Sequence, residues 1–324
     1  MTSLSKPSPG LRTDASAPAP RSAKRTRWAE LGRQIRAGKH SYILLAPYML
    51  LFGLFTVLPV VMSVLISFTY FNMLELPRFI GWHNYTRLFL DDDVFLIAVK
   101  NTMLFAAITG PLSYIACFLF AWIINEMPPK LRALMTLVFY APSISGNVFF
   151  IWQIIFSGDR YGVANGLLMK YGFLYEPILW LKTEAYILPI LIVVQLWLSL
   201  GTGFLAFIAG LQTVDRTLYE AAAVDGVRNR WQELWYVTLP SMRPQLMFGA
   251  VIQLTTSFAV ADVSIYLAGF PSVNYAAETI VTHLLDFGTI RFEMGYASAI
   301  ATVLFVIMVG TNLIVQKLLR KVGN

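Results

Sequence analysis

Residues 41–74 read SYILLAPYMLLFGLFTVLPVVMSVLISFTYFNML and contain no charged side chain. An α-helix needs about 20 residues to cross the hydrocarbon core of a bilayer, so this stretch is long enough to span a membrane. Five more uncharged stretches follow along the chain, at residues 101–125, 133–158, 185–214, 244–261 and 294–316. The pattern predicts an all-α polytopic membrane protein with six transmembrane helices.

The composition agrees with that prediction. Hydrophobic residues make up 57% of the 324 positions and charged residues only 13%, whereas a soluble protein is about half apolar and about a quarter charged. An ordinary soluble domain is therefore excluded, and we expect residues 41–320 to form one membrane domain. The fifth stretch is the shortest, and apolar residues 263–267 are expected to extend it past the single charge at Asp262.

The basic charge is confined to the amino-terminal tail. Residues 1–40 contain nine Lys or Arg against Asp14 and Glu30, while the rest of the chain carries 16 basic and 16 acidic side chains. We expect residues 1–40 to be a disordered cytoplasmic tail that contacts membrane lipid and not nucleic acid. With six spans, the side holding both termini has 18 Lys or Arg and the other side seven, so both termini are predicted to be cytoplasmic.

Side chains for catalysis or metal binding are scarce. His40, His83 and His283 have no second metal ligand at helical spacing, and Cys117 is the only cysteine in the chain. The nearest match to a phosphate-binding loop ends at His40, where that motif needs Ser or Thr, and has the wrong glycine spacing. We predict no catalytic residues, no metal, no cofactor and no ATPase site of the chain's own, which leaves transport as the favoured class.

The loop at residues 211–244 has the clearest polar pattern. It reads LQTVDRTLYEAAAVDGVRNRWQELWYVTLPSMRP and predicts a short helix from near Asp215, a turn at Gly226, and a second helix from Trp231 whose end is marked by Pro240 and Pro244. From the pattern alone, an amphipathic helix pair lying at the membrane surface and a docking site for a partner are equally good interpretations.

This loop resembles the E-A-A loop of bacterial ABC importer permeases. The matching residues are Glu220, Ala221, Ala222, Asp225, Gly226, Leu239 and Pro240. In that family the short helix fits a cleft on the cytoplasmic ATPase, so the resemblance implies that Glu220, Ala221, Ala222, Asp225 and Gly226 couple the chain to an ABC ATPase dimer. The segment from Gly226 to Pro240 is one residue longer than the family pattern.

The resemblance covers roughly residues 42–318. The sequences of residues 46–72, 79–102, 139–168 and 292–309 are similar to the carbohydrate permeases of the maltose and glycerol-phosphate type. This implies import of a sugar, oligosaccharide or related polyol across the bacterial inner membrane. The implied partners are a second permease subunit, the ATPase dimer and an extracytoplasmic solute-binding protein.

A polar stripe on the fifth span is the candidate substrate pathway. Gln253, Thr256 and Ser257 fall on one helix face, and the resemblance implies that this face lines the sugar cavity. Hydrogen bonding between helices is an equally good interpretation. Weaker candidates on the third and fourth spans are Gln153, Gln195, Asn147, Trp152 and Trp197.

Two other functions remain open from the sequence. An ion-coupled secondary transporter needs ionisable residues inside its spans, and these six stretches contain almost none. A membrane scaffold subunit would use the same 211–244 loop to dock a partner but would pass no solute.

Overall fold

The computed structural model describes residues 38–146 and 148–322. The predicted disordered tail therefore lies mostly outside the described residues, and the first helix begins at Lys39, inside the range assigned to that tail. The described α-helices are, in chain order, α1 (Lys39–Phe52), α2 (Leu58–Ile66), α3 (His83–Leu90), α4 (Asp93–Asn125), α5 (Pro129–Ile144), α6 (Val148–Ile155), α7 (Val163–Lys170), α8 (Glu184–Leu198), α9 (Thr202–Thr213), α10 (Arg216–Val224), α11 (Arg230–Glu233), α12 (Leu239–Ser241), α13 (Arg243–Phe258), α14 (Asp262–Ala268), α15 (Ile280–Leu285) and α16 (Met294–Val322).

Five of the predicted spans are helical segments long and apolar enough to cross a membrane. They are the first (α1 and α2), the second (α4), the fourth (α8 and α9), the fifth (α13 and α14) and the sixth (α16). The third span is two helices, α5 and α6, bent by 84°. Counting that bent pair as one span gives the six that the sequence predicts.

Short elements connect the spans. Strands β1 (Thr69–Tyr70) and β2 (Arg78–Phe79) pair antiparallel after the first span. One-turn π-helices occupy Leu234–Thr238 and Asp286–Ile290, and a third, Gly53–Val57, lies within the first span. A short 3-10 helix lies at Val273–Tyr275, and the remaining regular secondary structure of the described residues is α-helical, as predicted.

Two of the π-helical turns are explained by prolines. Pro59 and Pro240 each lie two residues after such a turn, and a proline cannot donate to the carbonyl four residues earlier. The helix widens instead, so that Leu58 N donates to Gly53 O and Leu239 N donates to Leu234 O, both five residues back. The helix therefore passes through Pro240 and ends at Ser241, between the two prolines predicted to mark its end.

The two halves of the fourth span pack in two different hydrophobic clusters. The loop-end cluster lies at the end of the bundle that carries the 211–244 loop, and its buried members are Cys117, Phe118, Ala121, Ile124, Leu200, Phe204, Phe207, Ile208, Leu211, Leu234 and Met242. The far-end cluster lies toward the opposite end and contains Phe105, Ile187, Ile190, Leu191, Val194, Val260, Val263, Leu267, Ala268 and Ala277. A third cluster packs the sixth span and α15 against the start of the second span.

Candidate functional site

The first half of the 211–244 loop is the predicted short helix, α10. The Asp215 carboxylate caps it by accepting from Thr217 N at 3.0 Å. At its end Val227 N donates to Ala222 O at 3.0 Å, and Gly226 adopts a φ of 96°, which favours glycine. The predicted start near Asp215 and stop at Gly226 are therefore both confirmed.

The second half begins one residue earlier than predicted, at Arg230, with Asn229 as its cap. Leu234 is 4% exposed and packs in the loop-end cluster beside the second span. Trp231 lies on the surface with its ring 5.2 Å from that of Trp122 in the second span. This helix is thus anchored to the membrane bundle by one buried leucine and one aromatic pair.

Polar contacts join α10, the second helix and the second span. Arg230 Nη2 lies 3.1 Å from Glu126 Oε2 just after α4, and Arg230 Nη1 lies 2.7 Å from Glu233 Oε2. The hydroxyls of Tyr219 on α10 and Thr238 in the π-helical turn are 2.9 Å apart. These contacts link α10 to the second helix, and the second helix to the end of the second span.

The predicted coupling residues do not all face the same way. Glu220, Ala221, Asp225 and Gly226 are exposed, whereas Ala222 is only 9% exposed. Small side chains on the outer face allow a partner surface to approach closely, and the two carboxylates can accept from its donors. Ala222 instead faces the chain itself.

The residues of the polar stripe on the fifth span also differ in burial. Gln253 and Ser257 are each 3% exposed, while Thr256 is exposed. Gln253 Nε2 lies 2.9 Å from Cys117 Sγ and donates to Ser199 O at 3.2 Å, so its amide joins the second, fourth and fifth spans. Ser257 bonds within its own helix and lies close to Gly110. In this conformation hydrogen bonding between helices is the better interpretation for Gln253.

The weaker pathway candidates have different surroundings. Gln153 donates to the backbone of Tyr266 in the fifth span at 2.6 Å. The Trp152 and Trp197 rings meet edge to face at 5.4 Å, and Trp152 Nε1 is buried without a hydrogen-bond partner. Gln195 is partly exposed. Asn147 lies outside the described residues.

A polar network at the far end was missed by the sequence analysis. Asp92 Oδ2 accepts from Tyr296 OH at 2.7 Å and lies 2.9 Å from His283 Nε2, and its other oxygen accepts from Phe95 N. It links the starts of α4 and α16 to α15. The signal available in the sequence was an aspartate directly before an apolar helix, which is a cap pattern, but its partners are about 200 residues away.

Burial and hydrogen bonding oppose each other at Asp92. Burial raises the pKa of its carboxyl, but the hydrogen bonds from His283, Tyr296 and the Phe95 backbone outweigh it and lower the pKa to about 2. Nearby Glu278 is 3% exposed, and burial raises the pKa of its carboxyl. The network is therefore built around an ionised Asp92 at neutral pH.

The family model for "binding-protein-dependent transport system inner membrane component" matches residues 129–324. A probable ABC transporter permease protein, YesP of Bacillus subtilis, is 32% identical over 85% of this chain and 89% of its own length. The arabinooligosaccharides transport system permease protein AraP of the same organism is 29% identical over 95% of this chain and 96% of its own length. The sulfoquinovosyl glycerol permease SmoG of Agrobacterium fabrum is 30% identical over 91% and 94%.

The fold is also that of a solved transporter. One chain of the crystal structure of a bacterial ABC transporter that imports the acidic polysaccharide alginate has a TM-score of 0.71 at 23% identity, covering 91% of this chain and 100% of that chain. A second structure, of the alginate transporter with its pentasaccharide-bound periplasmic protein, gives 0.72. The sequence matches and the fold together make this chain a member of the family of binding-protein-dependent transport system inner membrane components.

Proposed function

We propose that this chain is the transmembrane permease subunit of an ATP-driven ABC importer and carries a sugar, oligosaccharide or related polyol into the cytoplasm. The observation that carries the proposal is the exposed face of α10, formed by Glu220, Ala221 and Asp225, on a helix pair fastened to the second span. The names of its relatives, which include permeases for arabinooligosaccharides and lactose, support the substrate class.

In this proposal an ABC ATPase dimer docks on α10 and supplies the energy, because the amino-acid sequence contains no phosphate-binding loop. A second permease subunit completes the pathway, and an extracytoplasmic solute-binding protein delivers the substrate at the far end. The loop end and both termini then face the cytoplasm, in accord with the excess of Lys and Arg on that side. Closure of the ATPase pair moves α10, and the bundle alternates between inward- and outward-facing states.

Co-purification of the tagged chain from its native membranes in mild detergent tests the docking surface. We expect an ATPase with a P-loop to accompany the wild type and to be lost from Glu220→Lys, because the new ammonium group repels donors that the carboxylate accepts from. Glu176→Lys makes the same charge change in the connection before the fourth span, and this variant should retain the ATPase. Equal recovery of the ATPase with all three proteins would contradict docking on α10.

Uptake of a labelled oligosaccharide by cells tests the transport step. Uptake should require ATP and should be abolished in Glu220→Lys at an unchanged amount of membrane-inserted protein. If uptake instead collapses with an ion gradient while ATP is kept high, the chain is an ion-coupled secondary transporter. If no solute moves while the ATPase still co-purifies, it is a membrane scaffold subunit.

A further inference from the structure

The fourth span is broken near its middle, and its two halves belong to different cores. Helix α8 ends at Leu198 and α9 begins at Thr202. The buried side chains of α8 pack in the far-end cluster, whereas Leu200 and the buried side chains of α9 pack in the loop-end cluster. Residues 199–201 therefore join two halves of one span that pack in different clusters.

The fifth span has a matching break. Helix α13 ends at Phe258 and α14 begins at Asp262. Val260, Val263 and Leu267, on or just before α14, pack in the far-end cluster with α8. The α14 and α8 segments thus pack against each other, and they can move together relative to the loop-end cluster only if the chain bends at the two breaks.

A carbonyl group at the first break is held by side chains from two other spans. A helix break frees backbone carbonyls, and inside a membrane they must find donors within the protein. Ser199 O accepts from Gly201 N at 2.8 Å, from Gln253 Nε2 at 3.2 Å and from Cys117 Sγ at 3.3 Å. Cys117 and Gln253 are buried, so water does not compete for these contacts.

A glycine leaves the space that Gln253 needs. A Cβ atom at Gly203 would lie 2.9 Å from Gln253 Nε2, closer than side chains normally approach. Any larger residue at this position would push the amide away from Ser199 O, because the amide is the movable end of a flexible side chain. Gly203 and Gln253 therefore form a matched pair.

We infer that Gln253 is a positioning residue for transport: through the Ser199 carbonyl its amide clamps the break in the fourth span, and each transport cycle releases and reforms this clamp. The inference rests on the proposed function. It gives Gln253 a role in helix movement and not in sugar binding. It therefore decides between the two interpretations of this residue that the sequence left open. In this state Cys117 is covered by the clamp, and release uncovers it.

The single cysteine makes the clamp measurable in the unmodified chain. Membrane vesicles containing the whole transporter are treated with N-ethylmaleimide, the tagged chain is recovered, and alkylation of the peptide containing Cys117 is followed by mass spectrometry. In Gln253→Met, which keeps the length of the side chain but cannot donate, we expect alkylation about three to ten times faster than in the wild type. Gly203→Ala should give the same increase with Gln253 intact.

Transport kinetics provide the second measurement. For both variants we expect a fall in the maximal uptake rate of about three- to tenfold, with an unchanged sugar concentration for half-maximal uptake. Thr255→Val is the matched control, because Thr255 is exposed on the same helix and its hydroxyl bonds only to Val251 O. This control should match the wild type in both alkylation and uptake.

Two results would overturn the clamp. The first is wild-type alkylation and a wild-type maximal rate in Gln253→Met. The second is a rise only in the half-maximal concentration, which would make Gln253 a substrate contact. If the wild type moves no sugar, the proposed function fails, and the alkylation rates of the wild type, Gln253→Met and Gly203→Ala still decide the clamp. Size-exclusion chromatography of each variant in detergent checks that it is folded.

Discussion

The two ends of the bundle are held together differently. At the far end, Asp92 and His283 have side chains only 12% and 4% exposed, and the Asp92 carboxylate is paired with His283 and Tyr296 of the same chain. At the loop end, the Arg230–Glu126 pair has side chains 63% and 43% exposed, and Trp231 and Trp235 lie on the surface. The buried polar groups of the far end are paired within the chain, whereas the loop end presents exposed charged and aromatic side chains that suit a partner surface.

The largest effect should come from breaking the far-end network. In Asp92→Ala, the buried groups of His283 and Tyr296 lose their acceptor and the start of α4 loses its cap. We expect the free energy of unfolding to fall by about 3 kcal/mol. Thermal unfolding of the detergent-solubilised protein measures this, with the exposed neighbour Asp91→Ala as the control. Similar losses of stability in the two variants would mean that the buried network of Asp92 contributes no more than an exposed surface residue does.

Acid should weaken the same network. Because the pKa of Asp92 is lowered from 3.8 to about 2 in the folded protein, its stabilisation is fully present above pH ~4–5 and is lost as the pH falls towards 2. The difference in melting temperature between the wild type and Asp92→Ala should therefore stay constant from pH 7 to pH 5 and shrink below pH ~4. A difference that already shrinks between pH 7 and pH 6 would mean that the stabilisation depends on a group other than the Asp92 carboxylate.

At the loop end, Gly226 in the turn after α10 should tolerate substitution less well than its exposed position implies. Gly226 has a φ of 96° and no atom within 4 Å of the position of an added Cβ, so Gly226→Ala strains only the backbone. The expected cost is about 1–2 kcal/mol, confined to the loop. The ATPase should be recovered less efficiently while the melting temperature of the bundle changes little. Gly310→Ala, also in open space but without a positive φ, should be neutral, and a loss of the same size there would argue against strain at the turn.

The smallest effect should be that of Arg230→Gln. Its ion pairs with Glu126 and Glu233 are largely exposed, so we expect a loss of stability of about 0.5 kcal/mol or less, diminishing further in high salt. The same change at the far end, Arg87→Gln, should cost more, because Arg87 pairs with Glu293 at 2.6 Å and lies 4.2 Å over the Tyr296 ring. A reversed order of the two melting temperatures would contradict the contrast between the ends.

The loop and the spans could be predicted because their signals are local. The uncharged stretches show the spans directly, and Asp215 and Gly226 are start and stop signals that act on their own helix. The bend between α5 and α6 and the breaks in the fourth and fifth spans were not predicted, since an apolar stretch has the same composition whether its helix is straight or broken. For Gln253, the helix face was predictable but the group it faces was not.

The amino-acid sequence by itself determined the number of membrane-crossing stretches and the helix pair of the 211–244 loop, because hydrophobic length, caps and glycine turns depend only on neighbouring residues. Tertiary structure alone decided that Asp92 meets His283 and Tyr296, and that Gln253 and Cys117 both reach the carbonyl of Ser199. These partners are separated by 54 to 204 residues along the chain. Their meeting follows from how the helices pack side by side, since a buried polar side chain that finds no partner on its own helix needs one on another part of the chain.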